Sequence, residues 1–348
     1  MQQINTTIPE FINEFILEVK DLTQVGIRID KFLANELPFS RTLLQKWLEL
    51  GYISVSNNYD TSNQNITLTA KYKIKLDDII CVKAVALPQD LAFTPQNIPL
   101  NIVYEDEHIL IINKPVGMVV QPAPANWQDT LLNALLYHYP QTANLPRAGI
   151  VHRLDKMTSG IMVVAKTLDA QMGLSNAIQE REIKRQYLAI VQGLPLLKGV
   201  VNAPIGRHPS HKTKMAIVEH GKHAITHYTR IANLPASTNQ SHSLLKCDLE
   251  TGRTHQIRVH MASIGHPLIG DAVYNKNYNN TNVINMFSGT QRQALHATCL
   301  SFQHPVIEDK YMHYVVKPSD ELMQNALNDY QAVMQQDLYE IFDIEIEN

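Results

Sequence analysis

The stretch that most limits what this chain can fold into is residues 147–167, RAGIVHRLDKMTSGIMVVAKT. A charged segment, His152-Arg153-Leu154-Asp155, passes through Thr158-Ser159-Gly160 into the apolar run 161–165. That short unbroken run predicts a buried strand. A carboxylate and a guanidinium are thus held on a loop anchored in core, which is how a rigid scaffold presents chemistry. Taken by itself, any Arg-Leu-Asp reads first as a surface turn with an ordinary ion pair.

The string as a whole closely resembles the HRLDxxTSG motif of the RluA-type pseudouridine synthases, and other segments carry the same resemblance. NKPVGMVVQP at 113–122 is similar to the family's first motif, whose Lys-Pro-x-Gly turn has a structural role, with Gln121 where the family has a His. KRQYLA at 184–189 resembles its KxYxA element, and TGRTHQIRVH at 251–260, completed by HPLIGD at 266–271, matches a further motif.

Pseudouridine formation breaks the N1–C1′ bond of a uridine, turns the detached uracil and joins its C5 to C1′. The sugar becomes electron-poor as the bond breaks. A carboxylate beside C1′ can attack it or assist loss of a neighbouring proton, as carboxylates do for glycoside hydrolases. The resemblance nominates Asp155 and leaves both routes open. Burial alone would raise the pKa of such a carboxylate, and an opposing guanidinium would hold it ionised and oriented. The resemblance implies Arg258 as that partner, against the plainer reading of a surface helix arginine. It also implies Tyr187 as the pocket neighbour of the uracil, packing on it or acting on the C5 proton. A stacked uridine must be taken out of the RNA at a cost of roughly a few kcal/mol. Arg153, two residues before Asp155, is spaced to fill the vacated place or to contact the phosphate. His152 and residues 158–160 read as loop-shaping. The isomerisation is redox-neutral and imports no group, so no cofactor is implied.

The chain has 348 residues, 45% of them hydrophobic, enough for two or three domains with a large core. Its formal charge of −3 hides an asymmetry. Residues 319–348 carry eight acids and no Lys or Arg, and residues 1–24 carry four acids against Lys20, which leaves +8 on residues 25–318. A body of that sign suits a polyanion. The N-terminus has no basic-then-apolar leader, and no apolar run approaches the roughly 18 residues of a membrane span, so a cytoplasmic protein without a membrane partner is expected. Cys81, Cys247 and Cys299 are far apart and form no CxxC, which points to neither a disulfide framework nor a thiolate zinc site.

Five segments are expected. Residues 1–24 form a polar extension, helical over 11–19 where Phe11, Ile12, Phe15, Ile16 and Val19 share helical spacing. Residues 25–85 form a small module: a helix ended by Pro38, a second capped by Ser40 and closed by Gly51, then strands, with a turn at Asp77-Asp78. This order resembles the S4 RNA-binding module, and by that likeness Arg28, Lys31, Arg41 and Lys46 face RNA phosphates; the plainer reading is four solvated charges. Residues 86–99, with three prolines, read as a linker. The catalytic domain spans 100–318, with a helix at 130–139, a second capped by Asp169, and an Asn-rich loop between Asn275 and Gln293. Residues 319–348 are an acidic tail. The fold class expected is α+β: a mixed, mainly antiparallel bent sheet preceded by the small α+β S4-like module. The family's usual state implies a monomer.

Two rivals remain open. Fifteen histidines include the groups His208/His211, His220/His223/His227 and His255/His260, but no HExxH or Cys/His signature accompanies them, so no metal is expected. A non-catalytic RNA-binding or ribosome-assembly protein would keep the fold without needing Asp155, Tyr187 and Arg258 together. An S4-like module before an RluA-type domain resembles the large-subunit ribosomal RNA enzymes of the family, and a stem-loop of 23S ribosomal RNA is the substrate expected, with transfer RNA the alternative.

Overall fold

The computed structural model describes residues 11–57, 68–85, 88–124, 126–211, 213–234, 241–275, 292–319, 323–325, 327–328 and 342. Most of the Asn-rich loop and of the acidic tail, together with residues 1–10, lie outside the described residues. The chain divides into two compact units, Met1–Ala92 and Phe93–Asn348.

In the first unit, strand β1 (Phe11–Glu18) is followed by helices α1 (Ile29–Glu36) and α2 (Arg41–Glu49) and strands β2 (Ile53–Asn57) and β3 (Asp78–Val85). Helix α2 starts where Ser40 accepts a bond from the Leu43 amide, and Gly51, at φ +76°, follows its end. The helices bury Ile29, Phe32, Leu33, Leu44, Trp47 and Leu48 against a three-stranded sheet of order β1-β3-β2. Trp47 is sealed in by a hydrogen bond from its indole to the Val85 carbonyl at 3.2 Å and by the Phe39 ring at 4.9 Å.

The helix expected over 11–19 is a strand. Its apolar spacing fits an isolated helix, but one this short is marginal in water. The unpaired edge of β3 offers a full ladder, and Phe15 meets Phe39 edge-on at 5.6 Å once the strand is laid down. Tertiary pairing overrides the local pattern here.

The second unit runs through β4 (Ile102–Glu105), β5 (Ile109–Lys114), α3 (Leu131–His138), β6 (Ser159–Ala165), α4 (Leu168–Gln179), β7 (Lys184–Gln192), β8 (Lys198–Asn202), β9 (Ile205–Arg207), β10 (Met215–Ile217), β11 (Ile225–Leu234), β12 (His242–Leu249), α5 (Gln256–Ser263), β13 (Leu295–Gln303) and β14 (Tyr311–Val315). Its main sheet has the order β4-β5-β6-β13-β7-β12-β11-β8, with β14 paired to β13, and β9 and β10 form a separate hairpin. The β6–β13 contact is parallel and the other pairings are antiparallel, so the sheet is mixed and mainly antiparallel. Every residue of β6 is buried, as a continuous apolar run requires.

Two local readings change. Helix α4 is capped by Thr167, which accepts from the Ala170 amide, and Asp169 sits in the first turn instead. Residues 94–98, within the stretch read as a linker, hydrogen-bond to α3: the Asn133 side chain donates to the Thr94 carbonyl, and His138 contacts that of Ile98. Among the described residues no helix is long and apolar enough to cross a membrane.

Candidate active site

The loop before β6 is fastened from several directions. Arg147, Ala148 and Gly149 take left-handed backbone conformations in succession. At Gly149 a Cβ would fall 1.9 Å from the Ala165 carbonyl oxygen, so the loop lies against the end of the strand it precedes. Gly160, at φ +120°, lets β6 approach β13 closely; a Cβ there would lie 2.1 Å from the Ala297 carbonyl oxygen. His152 accepts from the Val163 amide at 3.1 Å. Burial and the Arg185 charge lower this imidazole to about 3, which keeps it neutral for that role.

Lys114, at the end of β5, fastens the loop from below. Its fully buried ammonium donates to the carbonyls of Pro115 at 2.8 Å, Met118 at 3.0 Å and Lys156 at 3.4 Å, joining the Lys-Pro-x-Gly turn to the residue after Asp155. Burial pulls this amine down to about 7, against the charge of Asp155.

Asp155 meets Arg258 through Oδ2 and Nη1 at 3.0 Å. Arg258 is buried on α5, which rules out the surface-helix reading. Its other face is taken by Asp271, which accepts from Nε at 2.7 Å and from Nη2 at 3.0 Å. Fully buried Asp271 is itself held by the amides of Val273 and Tyr274. Burial works against the guanidinium charge, but Asp271 and then Asp155 more than offset this, and the Arg258 pKa rises above its ordinary value. The result is a cation that cannot lose its proton or turn, with one donor aimed at Asp155.

His255 completes this corner. It caps α5 in a left-handed conformation, its Nε2 3.9 Å from Asp155 Oδ2 and its Nδ1 2.7 Å from the Tyr274 hydroxyl. Tyr274 accepts from the Met215 amide and, its pKa raised by burial, has its phenolic proton to give to Nδ1. The neutral imidazole then carries its own proton on Nε2, facing Asp155; burial lowers the His255 pKa and favours this form.

Asp155, Tyr187, Arg258 and Arg153 all line one cavity of about 480 Å³. Tyr187, on β7 between Cys247 of β12 and Ala297 of β13, is buried, with no hydrogen-bond partner for its hydroxyl among the described residues. Burial raises its pKa, Arg185 works against this and Asp155 adds to it. Arg153 is exposed at the rim and forms no ion pair among the described residues. Arg147, Arg181 and Arg253 are exposed on the same lining, Arg181 paired with Glu250 at 2.8 Å.

The four cations of the first unit lie elsewhere in that unit. Arg28 and Arg41 both bind the fully buried Asp30, at 3.0 and 2.8 Å, and each remains nearly half exposed. Lys31 is exposed, and Lys46 pairs with Glu49 at 3.3 Å. Among the described residues no three His, Cys, Asp or Glu side chains converge as a metal site. His227 pairs with Glu250, and His260 lies between Thr226 and the Ala203 carbonyl.

Asp271, Lys114 and Arg185 were not singled out from sequence as chemical residues, although each lies in a quoted motif, and His255 was weighed only as a metal ligand. Asp271 is 13 residues beyond Arg258 in a non-repeating segment, and no spacing rule joins them. Only a search for the second acceptor that a buried guanidinium demands could have raised it.

Comparisons with known proteins agree with this geometry. The family model described as RNA pseudouridylate synthase matches residues 108–263. Ribosomal large subunit pseudouridine synthase D of Nitrosomonas europaea is 49% identical over 281 residues, covering 80% of this chain and 78% of that protein. The protein of the same name from Haemophilus ducreyi is 42% identical over 323 residues, covering 90% and 95%. Among solved structures, Human RNA Pseudouridylate Synthase Domain Containing 4 superposes with a TM-score of 0.50 at 24% identity over 66% of this chain and 93% of that one, which speaks to the fold. With its sheet, its motifs and most of its length shared with these relatives, the chain belongs to the RNA pseudouridine synthase family.

Proposed function

We propose that this isomerase converts specific uridines of 23S ribosomal RNA, in a stem-loop, to pseudouridine, acting as a cytoplasmic monomer without a cofactor. The observation that carries the reading is the Asp155–Arg258–Asp271 chain at the floor of an arginine-rimmed cavity. Asp155 acts at C1′, Arg258 holds and aims it, and Tyr187 lies against the uracil. Arg153, exposed and without an ion pair among the described residues, takes a phosphate of the extruded nucleotide. The large-subunit RNA follows from the names of the relatives.

The first unit serves as the S4-like RNA-binding module over residues 25–85. Asp30 holds Arg28 and Arg41 side by side with their outer faces in solvent, and Lys31 and Lys46 extend the same basic set.

The test is chemical mapping of pseudouridine in ribosomal and transfer RNA from cells with and without the gene, alongside purified protein and Asp155→Ala. Loss of sites in 23S RNA, and an Asp155→Ala protein that binds RNA without converting it, is the expected result. Loss confined to transfer RNA moves the substrate; full activity of Asp155→Ala overturns the assignment. Unchanged maps with intact binding would leave a non-catalytic RNA-binding protein.

A further inference from the structure

Arg185 is a charge without a counter-charge. It stands on β7 two residues before Tyr187 and is 7% exposed, yet forms no hydrogen bond or ion pair among the described residues, and its buried Nε has no partner. Burial pulls its pKa below the ordinary value; Tyr187 works against this and the like charge of Arg253 adds to it. A buried guanidinium left so is costly unless an anion arrives. The side chain lines the cavity that Asp155 lines.

Two anionic groups of an extruded uridine could arrive. One is its phosphate, but Arg147, Arg153 and Arg253 are already exposed on the same lining, where a backbone tracks past. The other exists only during reaction. When N1–C1′ breaks, the electron pair leaves with the uracil, which becomes an anion with charge on N1, O2 and O4. After the ring turns, C5 shares a pair with C1′, the C5 proton passes to water and N1 takes a proton from water, so the product is neutral again. Arg258 is already held by three hydrogen bonds to Asp155 and Asp271, which fix its guanidinium and balance its charge with two carboxylates. Asp155 and Arg185 line the same cavity as Tyr187, the residue assigned to the uracil, and Arg185 stands two residues before it on β7.

We propose that Arg185 is a catalytic residue of the isomerisation, donating from its guanidinium to a carbonyl oxygen of the detached uracil anion. This rests on the functional reading above. An interaction made only with the separated base lowers the barrier without tightening ground-state binding.

Full-length protein is assayed in single turnover by tritium release from unmodified 23S transcript labelled at C5 of uridine, with binding measured over a salt series. Arg185→Met should slow the first-order rate on the order of 100-fold, with RNA affinity and its salt slope unchanged, and Arg185→Lys should recover part of the rate. Gly252→Ala is the second variant, because a Cβ at Gly252 would lie 2.6 Å from Arg185 Nη1 and push the charge aside without removing it. It should slow the same step even where Arg185→Met does not fold. A weakened affinity with the salt slope reduced by about 0.7 and an unaltered bound-state rate would make Arg185 a phosphate contact and overturn the proposal. Unaltered rates in Arg185→Met, or in Gly252→Ala should Arg185→Met not fold, overturn it as well, while a wild-type protein inert on this RNA withdraws the parent reading with it.

Discussion

Replacing Asp271 by Asn tests whether Arg258 is aimed by its rear partner. The side chain keeps its shape but loses its charge and one acceptor. The remaining oxygen can still take the Val273 and Tyr274 amides and Nη2, which leaves the amide nitrogen facing Arg258 Nε where 2.7 Å now separates donor and acceptor. Two donors in contact lose a charge-assisted bond, about 1.5–3 kcal/mol, and strand a buried N–H for about 1–3 more. Relief from burying a carboxylate returns part of this, so a net loss of about 3 kcal/mol is expected. For a unit of this size that is a fall in Tm of about 6–10 °C. If the same loss is felt in the transition state, the rate falls on the order of 100-fold. RNA affinity should hold, since Asp271 is fully buried. Calorimetry and single-turnover tritium release measure both. A variant with normal rate and Tm would show that Asp155 alone orients Arg258.

Other outcomes follow from the same geometry. Lys114→Met removes the donor to the Pro115, Met118 and Lys156 carbonyls, of which Lys156 keeps the Gly117 amide, and should cost about 3 kcal/mol by chemical denaturation, with activity falling as the loop around Asp155 loosens. Gly160→Ala places a methyl inside the Ala297 backbone and should cost more than about 4 kcal/mol, read as loss of folded protein on expression. Arg153→Ala should weaken RNA binding and reduce the salt slope by about 0.7. Burial opposes the charge of Asp30, but Arg41, Gln45 and Arg28 hold it at about 2. A depressed carboxylate contributes stability above its unfolded value of 3.8 that is lost as pH falls through about 2. Hydrogen exchange over residues 29–48 should therefore show opening about 2 kcal/mol easier at pH 2 than at pH 7, and Asp30→Asn should remove that difference.

Sequence reached the centre of the site because its chemistry is concentrated in contiguous strings. Asp155 and Arg258, 103 residues apart, were joined by a family pattern, and the 3.0 Å contact is what that pattern encodes. The short apolar run behind the loop was legible for the same reason: β6 is buried throughout, so its pattern has no competing solvent face. What escaped notice depends on tertiary pairing. Periodicity could not tell strand from helix in β1, whose partner is some 65 residues away in sequence. Nor can any one-dimensional pattern disclose that Arg185 lacks an anion, because a missing neighbour has no letter.

Strand β1 also governs how this chain behaves at high concentration. It occupies one side of β3, whose other side is taken by β2, and so completes the ladder of the most buried strand in its sheet. No strand pairs its other edge among the described residues, and Asn13, Glu14 and Glu18, exposed along it, are polar and charged groups that discourage a second chain from adding on. Trimming the chain before Asp21 would uncover the backbone of β3 from Ile79 to Val85, a run rich in β-branched residues. Such a shortened form should self-associate through edge-to-edge strand addition, so strand β1 acts as a colloidal safeguard as much as a part of the fold.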